Sequence, residues 1–303
     1  MRKNVTLPSK DCPSCKYESF LQVTAKDFNR AVTDQDFSYY CCRSCGLLFL
    51  NPIPDDIGQY YPDDYYHIPE TVDFLNATAK YEQYKLDIVR PFKETGRLLE
   101  IGPSTGTFAW IAKQSGYDVQ TIEMDARCSD YLNNVAHIQT VQTNDTCGAL
   151  RELDPFDLVA MWHVIEHLPS PWETLQSVSE RVKSGGLVVL AAPNPSSFGF
   201  CMLGKRWPHL DAPRHLHLIP MQLLAKWMSD LGFVKELETT NDHGGKGWNV
   251  FGWHYAIRNS KWLHGLGDAS QQLLGKWISR LVLPWEAIEG KGAAYTMIFR
   301  KQN

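Results

Sequence analysis

The sequence predicts an α/β protein: a doubly wound, mostly parallel sheet, led by a small cysteine-bound ribbon and carrying a helical insertion near its C-terminal end. Apolar strand-like runs alternate with helix-like runs from residue 97 to residue 193. Two C-x2-C pairs stand near the N-terminus. A tryptophan-rich stretch with helical spacing precedes the last strand-like run.

A chain of 303 residues suggests roughly two domains at about 150 residues each. Hydrophobic residues make up 44% of it, enough for a substantial core. The N-terminus "MRKNVTLPSKDCPSC" has two basic residues but no apolar region behind them, and no run of about 18 apolar residues occurs anywhere. The expectation is a cytoplasmic protein without a transmembrane segment. Eight cysteines in a reducing compartment are metal ligands or buried thiols rather than disulfides. A net charge of −4 gives no general attraction to nucleic acid or acidic membranes.

Cys12 and Cys15 form the first pair and Cys42 and Cys45 the second, with 26 residues between the pairs. Each turn, helped by Pro13 and by Gly46, can aim two thiolates at one point, and two such turns complete the tetrahedral shell of a structural zinc site. Cys41 in place of Cys42 would give C-x3-C. Unliganded thiols paired by chance are the plain alternative, and a redox pair is disfavoured because neither follows a βαβ pattern. The segment between the pairs offers short β-like pieces with little core, so zinc would supply much of the folding energy. The run "GLLFL" is expected to pack the ribbon onto the larger domain. Residues 51–69, rich in proline and tyrosine, are expected to form an ordered connector rather than a floppy linker.

The elements of the sheet begin at residue 97. "RLLEI" (97–101) reads as a buried strand, "GTFAWIAKQSG" as a helix ending at Gly116, and "YDVQTIEMD" as a second strand. A helix near "RCSDYLNN", strands at "HIQTVQ" and "FDLVAMW", a helix over "PWETLQSVSERVKSGG" and a strand at "LVVLAAP" come after them. "AAYTMIFRK" would close the sheet as the last, antiparallel strand.

Ligands of such sheets bind beyond the carboxyl ends of the strands. The first strand ends "EIGPSTG", where Gly102 and Gly106 let a ligand approach the backbone. No lysine is placed to grip a phosphate, which excludes a P-loop. Glu100 would repel a pyrophosphate and welcome a cation. Glu123, about 20 residues on at the end of the second strand, stands where a carboxylate accepts both ribose hydroxyls.

The stretch "LLEIGPSTGTFAWIAKQSGYDVQTIEMD", followed by "FDLVAMWHVIEHLPSPWETLQSVSERVKSGGLVVLAAPN", resembles class I S-adenosylmethionine-dependent methyltransferases. Within them it is most similar to the small-molecule subgroup that includes the ubiquinone-pathway O-methyltransferases. The resemblance covers roughly residues 80–240 and implies a seven-stranded Rossmann-like sheet. It implies that Glu100, Gly102 and Gly106, with Ser104 between them, hold the methionine part of the cofactor. Glu123, with Met124 beside it, would hold the ribose, Asn144 and Asp145 the adenine, and His163 would border the methyl group. Pro103 stands where the family often has a small residue or cysteine. The expected division is 1–66 for ribbon and connector and 67–303 for the methyltransferase domain, with acceptor-side insertions at about 195–220 and 241–290.

A four-cysteine ribbon joined to such a domain also looks like bacterial methyltransferase groups of glycan and natural-product pathways. Sugar C-methyltransferases share the arrangement but usually carry a further nucleotide-type domain, for which this chain lacks the length.

"HVIEH" (163–167) matches H-x-x-E-H, a motif of some zinc proteases. Here it follows an apolar strand directly and is cut short by "LPSP", whereas a protease needs a sustained helix. Some ubiquinone-pathway enzymes bind a divalent ion through E-x-x-E-H at this place; His163 replaces the first glutamate. His163 and His215 are the candidate bases, with Glu166 or His167 orienting the former. His215 belongs to "GKRWPHLDAPRHLHLIP" (204–220), where His209, Arg214 and His217 also stand. Such a mixture can orient a polar substrate or simply pack.

From 248 to 286 there are five tryptophans, and apolar positions 266, 273, 274, 277, 278 and 281 follow helical spacing. Residues 250–303 carry seven Lys/Arg against three Asp/Glu. A helical lid or homodimer face is one reading; a surface for a lipid-linked or membrane-adjacent acceptor is the other.

The leading functional expectation is methyl transfer from S-adenosylmethionine to a small-molecule or glycan acceptor at oxygen. An RNA methyltransferase with the ribbon as reader is disfavoured, because residues 1–66 carry seven Lys/Arg against nine Asp/Glu. A sugar C-methyltransferase and a non-catalytic, zinc-stabilised scaffold complete the alternatives.

Overall fold

The computed structural model describes residues 9–62, 64–258 and 267–303. Trp262 and Leu266 of the tryptophan-rich stretch, and the basic start of the chain, lie outside the described residues.

Four antiparallel strands come first: β1 (Ser9–Asp11), β2 (Glu18–Ala25), β3 (Phe37–Cys42) and β4 (Leu48–Leu50). After α1 (Asp73–Val89) the alternating series runs β5 (Gly96–Ile101), α2 (Thr107–Gln114), β6 (Tyr117–Glu123), α3 (Ala126–Asn134) and β7 (Gln139–Gln142). It continues through α4 (Thr146–Glu152), β8 (Phe156–Trp162), α5 (Pro171–Arg181) and β9 (Val182–Pro193). The remainder comprises α6 (Phe198–Leu203), β10 (His217–Leu218), α7 (Met221–Asp230), β11 (Phe233–Thr239), α8 (His243–Arg258), α9 (Asp268–Glu286) and β12 (Ala294–Lys301).

The large sheet has seven strands in the order β11-β12-β9-β8-β5-β6-β7. Strands β7, β6, β5, β8 and β9 pair in parallel. Because β5 pairs with β6 on one side and β8 on the other, the winding reverses at β5, which makes its carboxyl end the switch point. Leu98, Leu158, Leu187 and Val189 from the strands are fully buried with Phe108, Ala112, Leu132 and Leu86 from the helices. Buried on both faces, these strands need no polar alternation. Helix α1, absent from the strand-and-helix pattern expected from residue 97 onward, seats Leu75, Leu86 and Val89 in this core.

Two boundaries and the position of one strand differ from the expectation. The helix expected over 171–186 stops at Arg181, because Val182 is extended, with ψ 128°, and pairs with Phe156. A Cβ at Gly186 would lie 2.8 Å from the Lys183 carbonyl, where the β8/β9 register shifts. Strand β7 starts two residues late, after His137 with φ 51°. The last strand, β12, lies inside the sheet, between β11 and β9.

Contacts divide the chain into two compact units, each discontinuous. One comprises the ribbon through Tyr61 with Ala192–Leu224 and Thr239–Tyr295; the other comprises Pro62–Ala191, Ala225–Glu238 and Thr296–Asn303. The acceptor-side insertions therefore group with the ribbon, unlike the division at 66/67. The reason is local: β10 pairs with β4 to make the ribbon a five-stranded sheet, β1-β2-β3-β4-β10. Leu48 and Leu50 of "GLLFL" are buried with Trp207, Leu210, Leu216 and Leu218. Tyr60 of the connector packs edge-on against Phe37, with centroids 5.5 Å apart.

Arg214 is fully buried in this unit. Its guanidinium donates to both oxygens of Asp27, at 2.6 and 3.2 Å, to both oxygens of Asp211, at 2.7 and 3.0 Å, and to the Tyr60 carbonyl at 3.0 Å. Two bidentate carboxylates offset the desolvation of one guanidinium. A residue entertained as a substrate contact is thus a buried tie between ribbon and insertion.

Candidate cofactor site and cysteine centre

The loop after β5 takes its shape from three left-handed residues, Gly102 (φ 68°), Ser104 (φ 55°) and Gly106 (φ 81°). A Cβ at Gly102 would come within 2.6 Å of Val164 Cγ2, and one at Gly106 within 2.3 Å of Leu132 Cδ2, so a side chain at either would displace its neighbour as well as strain a left-handed backbone. The Gly102 amide donates to the Ile122 carbonyl and the Gly106 amide to that of Pro103, at 2.9 and 2.8 Å. Gly106 caps α2, whose N-terminal amides point toward the loop.

Two carboxylates flank that loop. Glu123, 3% exposed at the end of β6, accepts the Ser104 amide at Oε2 and the Asp125 amide at Oε1, both at 2.9 Å. Each oxygen keeps a second lone pair for a ribose hydroxyl. Burial pushes this carboxyl above its ordinary range, although the amides of Asp125 and Ser104 pull the other way. Glu100, at the end of β5, is also 3% exposed, and its Oε2 has no hydrogen-bond partner among the described residues. Burial raises its carboxyl to about 8 against the opposing pull of Lys85. Lys85 pairs with Glu82 on α1 and lies 5.1 Å from the centre of the Trp162 ring. Sequence reasoning missed this α1 pair; the helical spacing of "YEQYKLDIV" was the available signal.

These features fit S-adenosylmethionine: an unpartnered buried acceptor for its cationic amino acid part, a strained glycine loop, and a carboxylate for its ribose. Other expected contacts sit at the surface. Met124 is 61% exposed, Asn144 is exposed, and Asp145 caps α4 by accepting the Gly148 amide at 2.8 Å.

"HVIEH" forms a single 3-10 turn over Ile165–His167, so His163 and His167 do not share a sustained helix. His163 follows β8 in the left-handed region, with φ 58°, and its amide donates to the Ala191 carbonyl at 2.9 Å. Its Nδ1 lies 3.6 Å from Glu166 Oε1, and Glu166 is buried. His215, in the ribbon unit, places Nδ1 2.8 Å from the His209 carbonyl. A carbonyl only accepts, so Nδ1 carries the proton and Nε2 is the basic nitrogen of the neutral ring. His209 sits edge-on to Trp207 and Trp248, with its Nε2 3.0 Å from the Trp248 carbonyl. His217 is buried in β10.

The cysteine pairs converge. Lys16 and Gly46, each following the second cysteine of its pair, have φ 61° and 73°, and their amides donate back to Cys12 O and Cys42 O at 2.9 and 3.1 Å. The Sγ atoms of Cys12, Cys15, Cys42 and Cys45 all lie within 4.8 Å of one another. Three of the separations are 3.4, 3.7 and 3.7 Å. A tetrahedron with Zn–S bonds of about 2.3 Å has edges of about 3.8 Å. Burial raises the Cys42 thiol, but the amides of Cys45 and Ser44 and the Cys15 thiol outweigh it and bring the group to about 7. Cys41 points its sulfur toward backbone carbonyls instead.

A parallel sheet with a glycine loop at its switch point and an acid after the next strand defines a nucleoside-cofactor protein. A family model described as a methyltransferase domain matches residues 75–238, more than half of the chain. The chain belongs to that family, the class I S-adenosylmethionine-dependent methyltransferases. It is 26% identical over 153 residues to a ubiquinone biosynthesis O-methyltransferase of Leptothrix cholodnii, covering 45% of this chain and 63% of that protein. It is 25% identical over 147 residues to the protein of the same name in Saccharophagus degradans, covering 45% and 62%. The chain thus spans less than two thirds of the length of these relatives. Among solved structures, a SAM-dependent methyltransferase from Archaeoglobus fulgidus aligns with a TM-score of 0.49 at 18% identity, covering 76% of this chain and 97% of that one.

Proposed function

We propose that this protein transfers a methyl group from S-adenosylmethionine to a hydroxyl of a small-molecule or glycan acceptor. The observation that carries the reading is Glu123, at the end of β6 and accepting the Ser104 amide, together with the unpartnered buried acceptor of Glu100. That both relatives are named O-methyltransferases supports oxygen as the methylated atom.

Bound there, the cofactor supplies an activated methyl group, and the chain's own residues supply position and proton removal. Glu100, Gly102, Ser104 and Gly106 would hold the methionine part, Glu123 with Met124 beside it the ribose, and Asn144 and Asp145 the adenine. Holding donor and acceptor in line accounts for much of the rate. His163 or His215 takes the acceptor's proton, and Glu166 or His167 orients His163. The four cysteines hold a structural zinc ion that fixes the ribbon.

Calorimetry with S-adenosylhomocysteine, followed by methyl-transfer assays on phenolic, sugar and RNA acceptors, tests this. Binding together with transfer to a phenol or sugar hydroxyl is expected. A protein that binds NAD but neither form of the cofactor, or that methylates only RNA, overturns it.

A further inference from the structure

Helix α9 leaves much of its apolar surface exposed. Its buried positions are Gln271, Gly275, Ser279 and Glu286, which are polar or small. Several of its large apolar side chains face outward: Leu273, Trp277, Leu281 and Trp285 are 59, 56, 67 and 52% exposed, and Ile288 just past its end is 54% exposed, whereas Leu274, Ile278 and Val282 are half-buried. At about 100° per residue these five exposed positions fall within an arc of about 120°, one continuous stripe. A helix folding against a water-soluble core presents the opposite faces.

The small inward face has its own explanation. α9 packs against α8, where a Cβ at Gly275 would come 2.9 Å from the His254 Cα. Trp253 Nε1 donates to Glu286 Oε1 at 2.7 Å, tying the C-terminal end of α9 to the same neighbour. Close backbone approach through small residues holds the two helices together and leaves most of the apolar stripe exposed; at its far end Trp285 stacks on Phe198 of α6, with ring centroids 5.9 Å apart.

Charge indicates what covers the stripe. The exposed charged side chains described on α9 are Lys276 and Arg280, both on one flank of the stripe. The next acid in the chain, Glu289, is engaged by the Thr240 amide and Asn241. Lys276 and Arg280 have no exposed acid described on α9 to meet them in a second copy of this face. An anionic bilayer complements both features, with the apolar side chains entering the acyl boundary, the tryptophans at headgroup level, and the cations on phosphates. No helix among the described residues is long and apolar enough to cross a membrane.

We propose that α9 docks the protein onto an anionic lipid surface, lying in the interface through Leu273, Trp277, Leu281, Trp285 and Ile288. This goes beyond the methyl-transfer reading and does not depend on it. The test is flotation of the full chain with vesicles of phosphatidylcholine alone or mixed with phosphatidylglycerol, with circular dichroism checking each variant's fold. Flotation with the anionic vesicles is expected to fall at least about tenfold in Trp277→Ser/Leu281→Ser, and a salt-sensitive preference for phosphatidylglycerol to be lost in Lys276→Gln/Arg280→Gln. Folded wild-type chain that floats with neither vesicle overturns the proposal. So does a vesicle-independent dimer, seen by ultracentrifugation and abolished by the same apolar substitutions, because it assigns the stripe to a second copy.

Discussion

The Ser104 amide donates to Glu123 Oε2 at 2.9 Å, joining the loop after β5 to the end of β6. The carboxylate proposed for the ribose is therefore also a strut of the glycine loop. Ser104 is left-handed, at φ 55°, and this bond helps hold it there.

Glu123→Ala should reduce S-adenosylhomocysteine affinity at least about tenfold by calorimetry, through loss of hydroxyl contacts and of the loop's support. Glu123→Gln should bind better than Glu123→Ala while remaining weaker than wild type, since one amide oxygen can still accept from Ser104. Equal binding by all three would remove Glu123 from the site.

Glu100 should make ligand-free stability depend on pH. Its folded carboxyl is raised to about 8 from 4.5, mainly by burial. The folded state then holds the proton more tightly than the unfolded state, so this group's contribution is full below about pH 4.5 and is lost as pH rises toward about 8. Glu100→Gln should therefore stabilise the ligand-free protein at pH 8.5 by at least about 1 kcal/mol in urea titrations, yet weaken cofactor binding. A variant destabilised equally at pH 5 and pH 8.5 would contradict the burial account.

Metal analysis should find about one zinc per chain, and chelation should destabilise the ribbon unit. Cys12→Ser/Cys42→Ser should release the ion. Zinc-free protein with unchanged melting would leave the cysteine cluster as four thiols.

Arg214→Met should destabilise the protein by about 3–5 kcal/mol, because Asp27 and Asp211 would remain buried without their partner. Arg214→Lys should recover little of that loss, since an ammonium cannot engage two carboxylates bidentately. Near-wild-type stability in Arg214→Met would show that the tie is dispensable.

His163→Ala and His215→Ala probe proton removal. One of them should lower kcat at least about tenfold with cofactor affinity nearly intact. Wild-type turnover in both would leave catalysis to positioning alone.

Local chemistry in the sequence determined the cysteine knuckles, the order of strands from β5 to β9, and the carboxylate–glycine–carboxylate spacing of Glu100, Gly102, Gly106 and Glu123. Each comes from short-range rules: thiolate spacing, buried apolar runs, and a turn that only glycine can make. Tertiary structure decided what those rules cannot reach. Arg214 became a tie rather than a substrate contact because Asp27, 187 residues away in the chain, meets it in the core. His215 acquired a defined tautomer from the His209 carbonyl, a geometric accident of a 3-10 turn. The spacing of Leu273, Trp277 and Leu281 marked an amphipathic helix without showing which face lay inward. Close packing of Gly275 against His254 of α8 settled that, leaving Leu273, Trp277 and Leu281 outward, since periodicity sets the angle between faces and only packing selects the one that is buried.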